Sequence, residues 1–309
     1  MGAQTCWTLA RRGMRVLGID RHDIPNSMGS SHGVHRIIRL AYFEHPLYVP
    51  ILRRAYELWR QTEQLAGEQL LFVTGSLDIG PAGSPVVRGS LESCKLHHLP
   101  YELLSAENVN ARFPGYRLPE TYEAVFQADG GFIASERAVA AAANLAMNAG
   151  AIVRGREAVV DFDRLPGGGV RVRTEKGTYE AGRLVITTGA WIGEHVPMLK
   201  ASAVPERQVL GWFRPRRPEK FQLGVFPVSN IKSDDGHFYQ FPVWSVPGFK
   251  IGRYHHLQER GAADALSREP TATDEAVLRS GLKSFFPDAD GDILAMRTCM
   301  FTNTPDEHF

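Results

Sequence analysis

Two arginines three residues apart, Arg36 and Arg39, flank a pair of isoleucines in the run GSSHGVHRIIRLAY, residues 29–42. On an extended or helical start that spacing can turn both guanidinia toward one cavity. A planar guanidinium grips a carboxylate through two parallel hydrogen bonds. The same spacing also suits two solvated arginines beside a helix start. His32, in the Ser-Ser-His-Gly stretch before them, is either a surface loop histidine or a ring facing that cavity. Lys250, in GFKIG, is either a strand lysine with its ammonium in water or a fixed cation beside developing negative charge. Cys299 opens CMFTNTPDEHF. A cysteine is a nucleophile when it is accessible and held as thiolate, and otherwise a small core residue.

The rest of the composition narrows the class. The three cysteines, Cys6, Cys94 and Cys299, are odd in number and far apart, which suits free thiols in a reducing, cytoplasmic compartment better than a disulfide framework. Lysines and arginines number 35 against 34 acids, so the +1 balance offers no basic surface for nucleic acid. No apolar run reaches the roughly 18 residues of a spanning helix. In the N-terminal MGAQTCWTLARRGMRV the arginines follow the apolar part, the wrong order for a secretory signal. No metal site is expected. At 43% hydrophobic and 22% charged, the 309 residues make an ordinary globular chain with room for about two domains.

The elements that must position these residues follow from periodicity and turn chemistry. Residues 3–12 predict a helix closed by Gly13, and 14–20 a short buried strand ending in Asp20. Helix, glycine, strand, acid is the second half of a βαβ dinucleotide-binding unit. Gly2 stands where the last glycine of G-x-G-x-x-G would be, and Asp20 lies 18 residues beyond it, so about 23 beyond the position of the first glycine, near the spacing such a unit uses. Residues 21–35 read as a loop, and 47–65 as a helix. Residues 70–80 predict two strands around a Thr74-Gly75 turn, followed by helices over 86–97 and from 105 to Pro114. A helix over 135–148 takes Ser135 as its N-cap. Lys176-Gly177 predicts a hairpin turn. LVITTGAW, residues 184–191, predicts a strand opening at Thr188-Gly189 into a small-residue turn that lets backbone approach a bound dinucleotide. Short strands over 205–255 and a helix over 273–286 complete the reading.

Three segments, GSSHGVHRIIRLAY, FYQFPVWSVPGFKIG (238–252) and CMFTNTPDEHF (299–309), resemble the corresponding parts of monomeric sarcosine oxidase and N-methyltryptophan oxidase, flavoenzymes of the D-amino-acid-oxidase-like superfamily. The likeness runs along the whole chain in the same order. It implies an α/β fold in which an FAD-binding Rossmann-like domain (1–70, 131–205 and 295–309) is interleaved with a mixed-sheet substrate domain (71–130 and 206–294). It implies FAD joined covalently through Cys299, Arg36 and His32 beside the flavin, Arg39 on the substrate carboxylate, Lys250 over the flavin where dioxygen is activated, and Tyr239 lining the pocket. Gly2, Asp20, Arg21, Ser30, Ser31, Thr188 and Gly189 fall at positions that hold the cofactor.

The implied reaction is oxidation of a secondary amine, an N-methyl amino acid, to an imine that water hydrolyses, with dioxygen converted to hydrogen peroxide by a monomeric enzyme. Two departures concern the pocket. Tyr254 stands where the family has a histidine, with His255 one further on, and Phe301 stands where the family has tyrosine. The first strand and glycines of the fingerprint and the family's C-terminal segment have no counterpart in these residues, so the sequence reads as a piece truncated at both ends. Two other readings stay open: a related demethylase or dehydrogenase with another electron acceptor, and an inactive fragment that serves only as an interaction module.

Overall fold

The computed structural model describes residues 1–308. Its centre is an eight-stranded mixed sheet in the order Ile293–Asn303, Val204–Phe213, Phe249–Arg253, Gly236–Phe241, Val228–Ser233, Ser76–Pro81, Tyr122–Gln127, Glu102–Ser105. Every neighbouring pair is antiparallel except Val228–Ser233 with Ser76–Pro81. The helix Ala272–Phe285 lies on one face, where Leu278, Leu282 and Phe285 meet Phe213, Phe238, Phe249 and Ile251. Burying aromatic and branched side chains on this scale is the main favourable term in the fold.

Among the described residues, three smaller sheets accompany the large one. His35–Ile38, Gly131–Ala134 and Leu71–Val73 form a three-stranded sheet with Gly131–Ala134 in the middle. Leu17–Ile19 pairs in parallel with Ile152–Arg154, flanked by the helices Gly2–Ala10 and Ser135–Asn148. The alanine-rich face of the second helix lets the first approach closely, and Trp7, Ala10, Ala146 and Ala151 are buried between them. Val170–Thr174 and Thr178–Ala181 form the hairpin expected at Lys176-Gly177. The domain boundary drawn at 294/295 falls inside the strand Ile293–Asn303, which pairs along the whole of Val204–Phe213.

Several local expectations are corrected. LVITTGAW is not a strand: among the described residues no strand pairs with 184–188, Leu184 and Val185 are exposed, and regular structure resumes as a 3-10 turn at Gly189–Trp191. An apolar run is compatible with a strand, but a ladder partner decides. The strand read over 14–20 is shorter, Leu17–Ile19. Ser135 is the first helical residue rather than the cap, and its hydroxyl donates to Glu136.

Thr271 and Asp274 form a capping box at the start of Ala272–Phe285. Asp274 is fully buried, and its carboxylate accepts both Nη1 and Nη2 of Arg207 at 2.8 Å. Burial alone would raise its pKa, but the Arg207 fork and the Thr271 donors outweigh it and hold the carboxyl well below the usual carboxylate range. The stability this contributes is complete above the ordinary aspartate pKa, about 3.9, and is lost as pH falls through the depressed native value. Asp274→Asn should destabilise the protein by about 3–5 kcal/mol, because Arg207 loses its buried counter-charge and keeps only the half-exposed Glu259, 3.6 Å away. Urea denaturation near pH 7 measures this, and an unchanged midpoint would refute it.

Candidate active site

The chain from Gly29 to Arg39 is laid out by groups distant in sequence. Glu136, at the start of the helix Ser135–Asn148, accepts the backbone N–H of Gly33 at 2.7 Å and of Val34 at 3.0 Å. Burial opposes its charge, but those donors and Ser135 hold its pKa below the ordinary value. Lys250, on the central strand Phe249–Arg253, is fully buried and reaches this loop. Its Nζ donates to the carbonyls of Gly33 and His35, each at 2.7 Å, and lies 3.1 Å from His35 Nδ1. Gly33 has φ 90°, and a Cβ there would stand 2.5 Å from Leu210 and 3.8 Å from Nζ, so only glycine lets the loop close over the lysine.

Arg36 closes the other side. Its Nε donates to the Ser30 carbonyl, and its Nη2 lies 3.1 Å from Cys299 Sγ. Cys299 is buried on the strand Ile293–Asn303, and its pairing opposite Gln208 fixes its position. His32 is buried, and its Nε2 has no partner among the described residues. Burial first, and then Arg36, push its pKa down to about 4, so the ring is neutral near pH 7. Arg36, Cys299, Lys250 and His32 thus form one cluster, drawn from three parts of the sequence.

Arg39 belongs to a second cluster. Gln127 Oε1 accepts the N–H groups of Leu40 and Ala41 and fixes the chain after it. The buried guanidinium lies over the rings of Tyr42 and Phe43, binds both oxygens of Glu44 through Nη2, at 3.1 and 2.9 Å, and has Nε 3.4 Å from Asp78. Burial opposes its charge, but Glu44 and Asp78 raise its pKa further. Asp78 in turn accepts from Ser90 and Asn230, and Tyr254 donates to Asn230 at 3.2 Å. Tyr239 meets Tyr254 edge-on, 4.9 Å between centroids, and packs in the same apolar cluster as Cys299. Tyr239 therefore stands between the two clusters. Arg36, on the strand His35–Ile38, thus reaches the thiol, while Arg39, just past the end of that strand, reaches two carboxylates.

The place expected for a pocket histidine is occupied by Tyr254, but a histidine is adjacent. His237, half-buried, stacks on Tyr254 at 4.3 Å, and desolvation pushes its pKa down to about 3. His255 instead bonds Glu206 at 2.9 Å. His35, Glu136, Glu44, Asp78 and His237 were not picked out from sequence. Only Glu136, an acid in the first turn of a helix, and His35, directly before Arg36, carried a local signal.

The residues assigned to the cofactor are distributed along one side. A Cβ on Gly2 would lie 3.0 Å from Thr187 Oγ1, so the start of the first helix abuts the Thr-Thr-Gly turn. That helix has no acid in its first turn, as an anion site requires. The Thr188 hydroxyl is buried without a partner among the described residues, and Gly189 has φ 54°. Asp20 accepts the N–H of His22. Ser30 donates to the Met300 carbonyl, and Ser31 is exposed. Arg21 is turned away into an exposed pair with Asp264, which also accepts from Trp191 Nε1. An unpartnered hydroxyl at a glycine turn, an unpartnered imidazole nitrogen, a helix start free of acid and a thiol beside a guanidinium are a donor set that fits FAD.

The FAD dependent oxidoreductase family, DAO, matches residues 1–309, and the chain belongs to that family. The class is thus a flavin-dependent oxidoreductase. Monomeric sarcosine oxidase of Bacillus sp. (strain NS-129) is 36% identical over 314 residues, spanning 100% of this chain and 81% of the relative. N-methyl-L-tryptophan oxidase of Salmonella typhi is 32% identical over 314 residues, 100% of this chain and 82% of the relative. The solved open form of NikD, an unusual amino acid oxidase essential for nikkomycin biosynthesis, superposes with a TM-score of 0.83 at 26% identity, over 98% of this chain and 79% of that one. Among the described residues, no helix is long and apolar enough to cross a membrane, and no group of three or more His, Cys, Asp or Glu could hold a metal ion.

Proposed function

We propose that this protein oxidises a secondary amine of the N-methyl amino acid class at its CH–NH unit, with FAD held covalently through Cys299 and dioxygen as the acceptor. The products are hydrogen peroxide and an imine that water hydrolyses. The observation that carries this reading is the Cys299–Arg36 contact beside a fully buried Lys250. FAD supplies the two-electron chemistry when bound; the chain supplies the rest. Arg36 steadies the sulfur, Lys250 provides a fixed cation where oxygen gains negative charge, and Tyr239, Tyr254 and Phe301 make an apolar wall that suits an amine bulkier than sarcosine. The division into an FAD domain and a substrate domain, a monomeric state and a reducing, cytoplasmic setting, which the three free cysteines suit, belong to the same proposal. An oxygen-electrode trace with N-methyl amino acids tests it: amine oxidation without oxygen uptake would point to another acceptor.

In this reading the substrate carboxylate competes with Glu44 for the Arg39 fork. Arg39→Gln should weaken small carboxylate inhibitors by about 10- to 150-fold, the equivalent of roughly 1.5–3 kcal/mol for a charge-assisted contact. Arg39→Lys should recover part of that, since an ammonium cannot form the fork. Amines without a carboxylate should be indifferent to both changes. Inhibitor titration of the flavin absorbance measures this, with thermal melting to verify folding. Equal affinities in folded parent and variants would refute the role.

A further inference from the structure

We propose that His35 is a positioning residue for Lys250: its unprotonated Nδ1 accepts the third ammonium proton and thereby fixes both the orientation and the charge of that lysine. An ammonium has three donors. Two are taken by the Gly33 and His35 carbonyls at 2.7 Å, and Nδ1, at 3.1 Å, is the third partner. The ring itself cannot turn away. It is fully buried, stacked on Phe241 at 4.2 Å and 7°, and held edge-on by Phe132 at 4.9 Å. Phe241 also lies 4.2 Å beneath Nζ, so one aromatic face supports the ring and the cation together.

The charges around the pair make such an acceptor necessary. Arg36 faces it with a second positive charge, while Cys299 and Glu136 oppose that charge. His32, neutral and buried, adds none near pH 7. Burial and Arg36 both push Lys250 toward the neutral amine, and burial and Lys250 push His35 the same way. A neutral imidazole that keeps its proton on Nε2, which has no partner among the described residues, offers Nδ1 as an acceptor without adding a like charge. Removing that acceptor withdraws an interaction that favours the ammonium, so Lys250 loses its proton at lower pH.

The role in oxygen chemistry rests on the function proposed above, and the test separates the two. In nitrogen-15-labelled flavoprotein, the histidine signals that vanish in His35→Asn should show Nδ1 unprotonated and Nε2 protonated. Flavin reduced with dithionite, so that no amine is involved, is then mixed with air-saturated buffer across pH. His35→Leu should reoxidise about tenfold more slowly near neutral pH, with its alkaline fall-off shifted down by about one unit, as expected for a lost charge-assisted bond. His35→Asn places an amide oxygen where Nδ1 was and should stay close to the parent. A protonated Nδ1, a parental pH profile in His35→Leu, or an Asn variant that falls with Leu would overturn the proposal. A parent reoxidised no faster than free FAD would sink the oxygen reading and the positioning role with it, while the nitrogen shifts would still decide the pairing.

Discussion

Cys299→Ser should yield protein whose acid-precipitated pellet carries no flavin fluorescence, while the parent's pellet stays yellow. The expected change is complete, since serine offers no thiolate to the flavin methyl carbon. The other two cysteines do not substitute for it. Cys94 is buried, and burial, then Asp78, push its thiol up to about 12. Burial also raises the Cys6 thiol, with no cation in contact to reverse the shift. Cys299 alone has a guanidinium against its sulfur, at 3.1 Å. Cys6→Ser and Cys94→Ser should therefore keep the covalent flavin. Fluorescence in the Cys299→Ser pellet would remove the tether from this residue, whatever the activity.

Lys250→Met should slow reoxidation of the reduced flavin by about 10²- to 10³-fold, the usual cost of a lost preorganised charge contact. Anaerobic reduction by the amine should change far less, because Nζ is turned to the carbonyls of Gly33 and His35 and to the His35 ring. With two donors on those carbonyls and the third on the ring, as proposed above, its effect on oxygen is that of a fixed charge rather than of a proton donor. Methionine matches the volume of the lysine stem and removes a buried charge. It also leaves two buried carbonyls without a donor, at about 1–3 kcal/mol each, so a melting curve must accompany the kinetics. Stopped-flow traces showing equal losses in both half-reactions would refute the role.

Much of the local structure was legible in the residues. The break between two strands at Thr74-Gly75, the Lys176-Gly177 hairpin and the helix Ala272–Phe285 follow from glycine conformation, alternation and helical spacing, all of which act within a few residues. The segment 184–188 shows where such signals stop. Its apolar run fits a strand, yet a strand exists only where another backbone completes the ladder.

The candidate site divides along the same line. Residue types left Cys299, Lys250, His32 and the Arg36–Arg39 pair each open to a plain structural reading, and the resemblance of three segments to a known family marked them as the chemistry-bearing groups. Only the tertiary structure decided what each one touches. Lys250 and His35 meet across 215 positions of sequence, Arg36 and Cys299 across 263. Asp78 and Glu44 capture Arg39, and His237 slides in beside Tyr254, because sheet register and loop path bring them there. Periodicity reports which face of an element is buried. It carries no information about which distant polar group will be buried opposite, and in a low-dielectric interior that partner sets charge, tautomer and role.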